Sequence, residues 1–493
     1  MRGIHRSADL HNLPLNLPMN ALPQPSTGSA TSIADALNHG CMCHTLDTTR
    51  LQQELERDLS LSGLAGGIAL NQPHLFSSSV VFLSSTTAQA IAQAISAIER
   101  VMALPAFQTA ALKDAPAIAQ TAFGPQGAFM GYDFHVDATN PRFNGPQLIE
   151  VNTNAGGAFL NAALARAHHA CCEAMTFVMQ PKAQLDGLEQ TFFDMFQTEW
   201  RLQRGDQPLR TVAIVDDAPL NQFLAPEFAL YRQMFSQRGV FAVIADPSEL
   251  SWRDGILWCA SATEGAFQAA TEGASQALTP IDLVYNRLTD FDFSAPAHQA
   301  LHDAYLAGGT VITPHPNAHA LRANKRHLVT LSDDAQLAQW GVSEADRQTL
   351  HEAVPATQRV TRDNADALWA QRRQLFFKPA AGYAGKAAYR GEKLTKRVWD
   401  EILAGDFIAQ AFAPPGQRLV NVDGVATNLK FDVRAYTYQG HIQLMVARTY
   451  QGQTTNLRTP GGGFSPMLVV PTLELTAAQQ AALPQIVNLC TSC

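Results

Sequence analysis

Charged residues are scarce in this sequence, and no long apolar stretch compensates for them. Asp, Glu, Lys and Arg make up 16% of the 493 residues, against about 25% in an average protein. The 35 basic residues do not outnumber the 43 acidic ones, so the basic excess of a nucleic-acid-binding protein is missing. No run approaches the roughly 18 uninterrupted apolar residues that a membrane span needs. With 46% apolar residues, the composition predicts a globular protein of several domains that binds neither nucleic acid nor membrane.

Cysteine is also uncommon. The chain contains seven, an odd number that leaves at least one unpaired within the chain. This usage predicts a reducing, cytoplasmic location. The first 30 residues lack the continuous apolar segment of a secretory signal. They contain several prolines and asparagines, and we predict a disordered tail over residues 1–30.

Apolar periodicity separates a helical region from a mixed one. From residue 31 to about residue 120, apolar residues recur at three- and four-residue spacing, which predicts helices. Residues 129–136 and 146–154 alternate apolar and polar side chains around a turn-rich segment, which predicts a β-hairpin. An alanine-rich helix follows over residues 160–175. It contains His168 and His169, which we expect on its surface, and Cys171 and Cys172.

The remainder of the chain alternates strands and helices. Residues 206–318 contain short β-branched strands between helical segments, which predicts a small parallel α/β unit. After it we predict a helix from Asn324, a strand that ends at Lys378, a glycine-rich loop and two long alternating strands. The fold class is therefore α/β, of mixed α+β character.

Three polar residues on the predicted hairpin are candidates for a metal site. Glu150 and Asn152 are two residues apart, so their side chains leave the same face of a strand. Asp133 lies on the partner strand. Two carboxylates and an amide oxygen form the oxygen-only set that suits Mg²⁺ carrying nucleotide phosphates. The alternative is an exposed strand face with a few polar residues.

A glycine-rich loop after the strand at Lys378 is a candidate phosphate site. Gly382, Gly385 and Lys386 follow that lysine. Small residues allow backbone N–H groups to approach phosphate oxygens, and lysines neutralise them. The G-x-x-x-x-G-K-[ST] pattern of a P-loop is missing. A hairpin turn with solvated lysines is the alternative.

Polar residues at the end of the chain indicate an anionic ligand. Gln410 is predicted just after an apolar strand, where its amide meets the edge of a base. A planar guanidinium binds phosphate or carboxylate through two hydrogen bonds. The polar residues that precede a triple glycine are Asp432, Arg434, Arg448, Asn456 and Arg458.

The order of these motifs resembles that of the circularly permuted ATP-grasp ligases, the branch that includes glutathionylspermidine synthase. In that branch a metal-binding D…E-x-N set precedes the nucleotide-binding lysines, the reverse of the order in ordinary ATP-grasp enzymes. Asp133, Glu150 and Asn152 match the metal set, and Lys325 and Lys378 match the two lysines. The resemblance covers roughly residues 125–470.

The same resemblance implies roles for the later motifs. The glycine loop from Gly382 to Gly385 corresponds to the phosphate-covering loop, with Lys386 after it in the nucleotide-binding set, and Gln410 falls at the adenine hinge. Arg434 joins the nucleotide-binding set. Arg448 and Asn456, with Phe464 and Pro466 after them, match a late R…N…F-x-P stretch in which the arginine holds an acyl phosphate. The family arginine two residues before the metal aspartate is Gly131 in this chain, and Arg142 is a candidate substitute.

The implied activity is an ATP-dependent ligation of a small-molecule or peptide carboxylate to an amine, through an acyl phosphate, with release of ADP and phosphate. The implied cofactors are ATP and Mg²⁺, or Mn²⁺. A kinase that stops at phosphoryl transfer and a non-catalytic nucleotide- or peptide-binding protein are the alternatives, and Gly131 favours the second. The implied regions after the tail are the helices with the metal-binding hairpin (31–205), a Rossmann-like pre-ATP-grasp unit (206–318), the nucleotide-binding region (319–470) and a C-terminal segment (471–493).

The remaining cysteines present a weaker pattern. Cys41-Met-Cys43-His44 and Cys490-x-x-Cys493 are metal-ligand types at short spacing, and a zinc site that joins them is one reading. The spacings match known zinc sites poorly, so we expect free thiols instead.

Overall fold

The computed structural model describes residues 32–56, 72–137, 145–171, 176, 178–179, 182–260, 278–382 and 387–472. The predicted tail, most of the predicted C-terminal segment, Arg142, Gly385, Lys386 and the Cys490-x-x-Cys493 motif lie outside these residues.

Helices occur throughout the described residues. They are α1 (Ile33–Gly40), α2 (Thr48–Leu55), α3 (Ser85–Met102), α4 (Pro105–Leu112), α5 (Ala158–Ala167), α6 (Lys182–Arg204), α7 (Ala225–Ser236), α8 (Gln299–Leu306), α9 (Pro316–Arg322), α10 (His327–Leu331), α11 (Asp334–Gln339), α12 (Glu344–Ala353), α13 (Ala365–Gln371) and α14 (Lys396–Ala404). Short 3₁₀ helices cover Ala117–Gln120, Pro219–Asn221, Pro247–Glu249, Pro296–His298, Arg372–Gln374 and Gly391–Lys393.

The strands of the described residues are distributed over four sheets. They are β1 (Val81–Ser84), β2 (Met130–His135), β3 (Gln147–Asn152), β4 (Thr211–Val215), β5 (Phe241–Ala245), β6 (Leu250–Arg253), β7 (Ile256–Cys259), β8 (Thr279–Pro280), β9 (Leu283–Asn286), β10 (Val311–Thr313), β11 (Thr357–Arg359), β12 (Leu375–Pro379), β13 (Tyr389–Arg390), β14 (Phe407–Ala411), β15 (Gly416–Val422), β16 (Val425–Tyr438), β17 (His441–Tyr450) and β18 (Gly463–Val470). The mixture of helices and sheets confirms the predicted α/β class.

The largest sheet has the order β1-β18-β17-β16-β2-β3, and β15 also pairs with β16. β1 and β18 are parallel, whereas the other pairs are antiparallel. β2 and β3 form the predicted hairpin, and β16 and β17 are the two predicted long strands. Because β16 pairs with β2, the two halves of the chain that carry candidate site residues lie side by side in one sheet.

A separate parallel sheet lies within residues 206–318. Its order is β10-β9-β4-β5, and every neighbouring pair is parallel. A third sheet, β11-β14-β12-β13, is antiparallel and packs Phe377 against Trp399 of α14. It carries Lys378 and Gln410. The short strands β6, β7 and β8 form the fourth.

Two predicted helices have different limits in the structure. The alanine-rich helix α5 ends at Ala167, before the histidines and cysteines that we placed on it. His168 is buried, and its Nδ1 lies 2.7 Å from the hydroxyl of Thr45, so its predicted surface position is wrong. The helix predicted from Asn324 begins at His327, which leaves Lys325 in the preceding turn.

Within the described ranges, no single helix is long and apolar enough to cross a bilayer. α3 and α4 reach the necessary length and composition only together, and they bend by 75° where they meet. The apolar face of α3, including Ile91, Ile95 and Ile98, is buried in the core beside the largest sheet.

Candidate active site

Strand register aligns charged residues across the largest sheet. Asp133 on β2 pairs with Arg434 on β16 and with Glu150 on β3. Asp432, two residues before Arg434, pairs with Arg448 on β17. Side chains of register partners, and of residues two apart on one strand, lie on the same face. Four strands therefore direct three carboxylates and two guanidinium groups to one face of the sheet.

Asp133 is the centre of this arrangement. Its carboxylate accepts two hydrogen bonds from Arg434, from Nε and Nη2, both at 2.7 Å. Nη2 of Arg448 lies 2.9 Å from the same carboxylate. Burial alone would raise the pKa of Asp133, but the two guanidinium groups outweigh it and lower that pKa well below its usual range. The two guanidinium groups therefore favour the ionised form of Asp133.

Arg448 also connects Asp133 to a second carboxylate. Its Nε donates to Asp432 at 2.7 Å. The hydroxyl of Thr455, in the loop after β17, donates to the other oxygen of Asp432. Both aspartates are 2% exposed, which makes this a buried network of charges rather than a set of surface ion pairs.

The predicted metal residues lie together. The side-chain nitrogen of Asn152 donates to Asp133 at 3.0 Å and to Glu150 at 3.2 Å. Lys325 Nζ is 3.5 Å from Glu150. Burial acts to raise the pKa of Glu150, but the ammonium group of Lys325 contributes most to the opposite effect, and the net result is a lowered pKa.

The two predicted nucleotide-binding lysines lie beside β3, the strand that carries Glu150 and Asn152. Lys378 is 5% exposed, and its Nζ donates at 2.7 Å to the backbone oxygen of Ile149, the residue before Glu150. Burial lowers the pKa of Lys378 to about 8. Lys325 donates at 2.8 Å to the backbone oxygen of Gly382, which holds the beginning of the glycine loop close to Glu150. Gly382 has φ +143°, a conformation that favours glycine.

Gln410 has a different environment from the one that its sequence position suggests. It lies within β14 rather than after it, and it is 2% exposed. Its side-chain oxygen accepts from Lys378 at 2.7 Å, and its nitrogen donates to the backbone oxygen of Leu148 at 3.3 Å. Its amide therefore positions Lys378 against β3.

Asn456 is engaged in the loop between β17 and β18. Its oxygen accepts from the backbone N–H of Arg458 at 3.1 Å and from the hydroxyl of Thr459 at 3.0 Å. Its nitrogen donates to the backbone oxygen of Gln451 at 2.8 Å. Arg458 itself is exposed. Arg448 thus contacts Asp133. Among the described contacts, neither Asn456 nor Arg458 touches either of these two residues.

Sequence reasoning missed two polar groups beside this face. Thr455 is adjacent to the predicted Asn456, yet it is Thr455 that contacts Asp432. Arg287 follows β9 at the carboxyl edge of the parallel sheet and contacts Asn154, two residues after Asn152. Open parallel sheets commonly bind ligands at that edge, which is the signal that would have identified Arg287.

The charges of the cluster favour an anion. Three carboxylates face four cationic side chains, so the group has an excess of positive charge when Lys378 is protonated. The carboxylates are Asp133, Glu150 and Asp432, and the cations are Lys325, Lys378, Arg434 and Arg448.

Comparisons with known proteins give distant matches. No protein-family model and no curated protein matches the chain. A glutathione synthetase-like effector from Globodera pallida superposes with a TM-score of 0.49 at 10% identity, over 86% of this chain and 98% of that one. A putative γ-glutamylcysteine synthetase from Methylobacillus flagellatus gives 0.42 at 9% identity, over 81% and 95%. The ATP-grasp ligase PsnB, solved with a minimal precursor, Mg and ADP, gives 0.24 at 12% identity, over 57% and 97%. All three structures are at most 12% identical to this chain and superpose with TM-scores below 0.5, so the functional argument rests on the site.

Proposed function

We propose that this protein is an ATP-dependent ligase that joins a carboxylate to an amine. The observation that carries the proposal is the row of Asp133, Arg434, Arg448 and Glu150 on one sheet face, with Lys325 and Lys378 beside it. Such a cluster binds a polyanion and neutralises charge as phosphate is transferred.

The reaction would proceed in two steps. The γ-phosphoryl group of ATP moves to a carboxylate oxygen of the acid, which gives an acyl phosphate and ADP. The amine nitrogen then attacks the acyl carbon and loses a proton, and phosphate leaves with one oxygen of the original acid. The permuted order of the ATP-grasp motifs is part of this proposal.

The donor set is suited to Mg²⁺. Asp133 and Glu150 both accept from the same nitrogen of Asn152, so their oxygens converge on one point. When an asparagine amide rotates by half a turn, its nitrogen and oxygen exchange places. After such a rotation the oxygen of Asn152 would face the carboxylates of Asp133 and Glu150 as a third oxygen ligand. Mg²⁺ binds one or two carboxylates together with phosphate oxygens, and Mn²⁺ accepts the same ligands. When bound, the ion compensates the charge of the transferred phosphoryl group.

The lysines retain donors for phosphate. An ammonium group has three N–H donors, and the described hydrogen bonds of Lys378 use two of them, to Ile149 and Gln410. Lys325, with a side chain 10% exposed, lies between Glu150 and the start of the glycine loop. A triphosphate bound there would meet both ammonium groups.

Arg434 compensates for the absence of an arginine at position 131. A Cβ atom on Gly131 would lie 2.6 Å from Cβ of Ala155, so a side chain does not fit there without a shift. Nε of Arg434 lies 3.5 Å from the position of that added Cβ atom on Gly131. We infer that the neighbouring strand supplies the guanidinium that the family pattern places two residues before the aspartate.

One observation favours a non-catalytic nucleotide-binding protein as the second candidate. Both oxygens of Asp133 accept hydrogen bonds from Arg434, and one also meets Arg448, which would compete with a metal ion for the carboxylate. In an enzyme, Asp133 would have to bind the metal ion as well as the two arginines. A non-catalytic binding protein would not require this.

ADP release measured with panels of amino acids and short peptides separates the candidates. A ligase releases ADP over many turnovers only when an acid and an amine are both present, and Glu150→Gln strongly reduces this release. A kinase releases ADP with the phosphoryl acceptor alone. ATP binding in calorimetry without ADP release from any pair would support the binding protein.

A further inference from the structure

The side chains of three cysteines from two parts of the chain lie close together near the C-terminal end of helix α1. Cys41 directly follows the helix, and its N–H donates to the backbone oxygen of Leu37. Cys43 comes two residues later, and Cys171 follows α5. The three Sγ atoms lie within 4.8 Å of one another. Cys41 and Cys43 are 2% and 5% exposed, and Cys171 is partly buried, so the group belongs to the interior.

A buried arginine lies against these cysteines. Arg418 of β15 is 1% exposed and donates to backbone oxygens of Val80 at 2.8 Å, Asn38 at 3.1 Å and Cys41 at 2.6 Å. Within the described part of the chain, its Nη2 has no hydrogen-bond partner. Its side chain donates to five backbone oxygens, and no carboxylate is among these acceptors. Burial lowers the pKa of Arg418 to about 10, and the nearby side chains of Cys41, Cys43 and Cys171 act against this shift.

The charge of Arg418 therefore needs a counter-charge from the cysteines. A charged group that is buried without a counter-charge strongly destabilises the folded protein. The carbonyl groups at the end of α1 provide a partial negative charge of about one half, which leaves much of the guanidinium charge unmatched. Thiolates would supply the remainder, since they are the anionic form of the groups that surround it.

We propose that Cys41, Cys43 and Cys171 bind a thiophilic divalent cation, and that the cation is Zn²⁺. Three thiolates and one guanidinium carry two net negative charges, which Zn²⁺ neutralises, whereas Cu⁺ would leave the buried site charged. Zn–S bonds of about 2.3 Å in a tetrahedral site separate the sulfurs by roughly 3.8 Å. Sulfurs within 4.8 Å of one another reach that spacing through small side-chain rotations.

The site differs from the one considered from the sequence. That reading joined Cys41 and Cys43 to the terminal Cys490-x-x-Cys493, which lies outside the described residues. Cys171 belongs to the cluster because the chain after α5 pairs with the chain before α2, through a bridge between Leu46 and His168. In this proposal Arg418 holds the backbone at Cys41 in place through its hydrogen bond to the carbonyl oxygen of that residue.

Metal analysis of the full chain, purified without chelator, tests the proposal. We expect about one zinc per chain in the wild type and less than about a tenth in Cys43→Ser. Cys259→Ser is the matched control, because Cys259 is a buried cysteine in a different core cluster, and its zinc content should equal that of the wild type. Equal zinc in wild type and Cys43→Ser would overturn the proposal.

A second measurement uses the wild type alone, in case Cys43→Ser does not fold. Co²⁺ added to metal-free protein should produce an intense sulfur-to-cobalt charge-transfer band that Zn²⁺ removes. Mass spectrometry of the alkylated wild-type protein under non-reducing conditions should show none of the three cysteines joined to another. Absence of the band, or a disulfide between two of the three, would contradict the site.

Discussion

Arg434 and Asp133 form a two-hydrogen-bond ion pair across adjacent antiparallel strands, although 301 positions separate them in the sequence. The pair connects β2, which belongs to the first third of the chain, with β16, which belongs to the last. It fixes the carboxylate that we assign to the metal and also supplies a guanidinium to the space beside Gly131.

Arg434→Ala should destabilise the fold, because it leaves the buried Asp133 with Arg448 as its remaining guanidinium partner. Loss of one member of a buried pair costs about 3 kcal/mol. Arg397→Ala is the control, since that side chain is 89% exposed and pairs with Glu401 on the same helix, and it should change the unfolding free energy by about 0.5 kcal/mol or less. Urea denaturation of both variants measures how much unfolding free energy each one loses. Equal losses would show that the buried pair of Arg434 with Asp133 stabilises the fold no more than an exposed pair does.

Glu150→Gln should impair catalysis rather than folding. The amide has the size of the carboxylate, so the strand retains its packing, but a charged ligand for the metal is removed. We expect turnover to fall at least a hundredfold, about 2.7 kcal/mol, with the melting temperature nearly unchanged. Glu401→Gln on the exposed face of α14 should leave turnover unaltered. Turnover of Glu150→Gln within threefold of the wild type would remove Glu150 from the site.

The pH dependence of stability should report Lys378. Burial lowers its pKa from 10.5 to about 8 in the folded protein, so between pH 8 and 10.5 the unfolded chain binds more protons at this residue. The contribution of Lys378 to the unfolding free energy therefore rises with pH between pH 8 and 10.5 and is constant below pH 8. The unfolding free energy of the wild type minus that of Lys378→Met should increase from pH 7.5 to pH 10. A flat difference would mean that the pKa of Lys378 is the same in the folded and unfolded protein, a decreasing one that folding raises this pKa, and either result would contradict the prediction.

Arg448→Lys should separate binding from chemistry. Lysine keeps the positive charge but loses the planar fork that holds Asp133, Asp432 and the proposed acyl phosphate. ATP affinity in calorimetry should therefore remain within about threefold of the wild type, while amide formation falls by about a hundredfold or more. Amide formation at the wild-type rate would exclude Arg448 from the reacting group.

Local patterns in the sequence were sufficient to predict the hairpin of β2 and β3. Alternation of apolar and polar residues identifies β2 and β3, and spacing of two puts Glu150 and Asn152 on one face. The same reasoning could not foresee that Arg434 meets Asp133, because that contact depends on the pairing of strands distant in sequence.

Other differences arise where tertiary contacts override a local pattern. The alanine-rich run predicts a helix through His168, but α5 ends at Ala167, and the following residues pair with the chain near Leu46. Gln410 is at the end of an apolar run, yet β14 continues through it, and its amide bonds with Lys378. Neither the bridge nor the lysine contact leaves a signal in the neighbouring residues.

The fate of the carboxylate oxygen tests the central claim most directly. In an acyl-phosphate mechanism, one oxygen of the acid leaves with the released phosphate. The wild-type protein would be incubated with ATP, an amine and an ¹⁸O-carboxylate acid, taken from whichever pair elicits ADP release, and the phosphate would be analysed by mass spectrometry. We predict ADP together with phosphate that carries one ¹⁸O atom, and neither product with Glu150→Gln. Unlabelled phosphate, or AMP and pyrophosphate in place of ADP, would contradict the account.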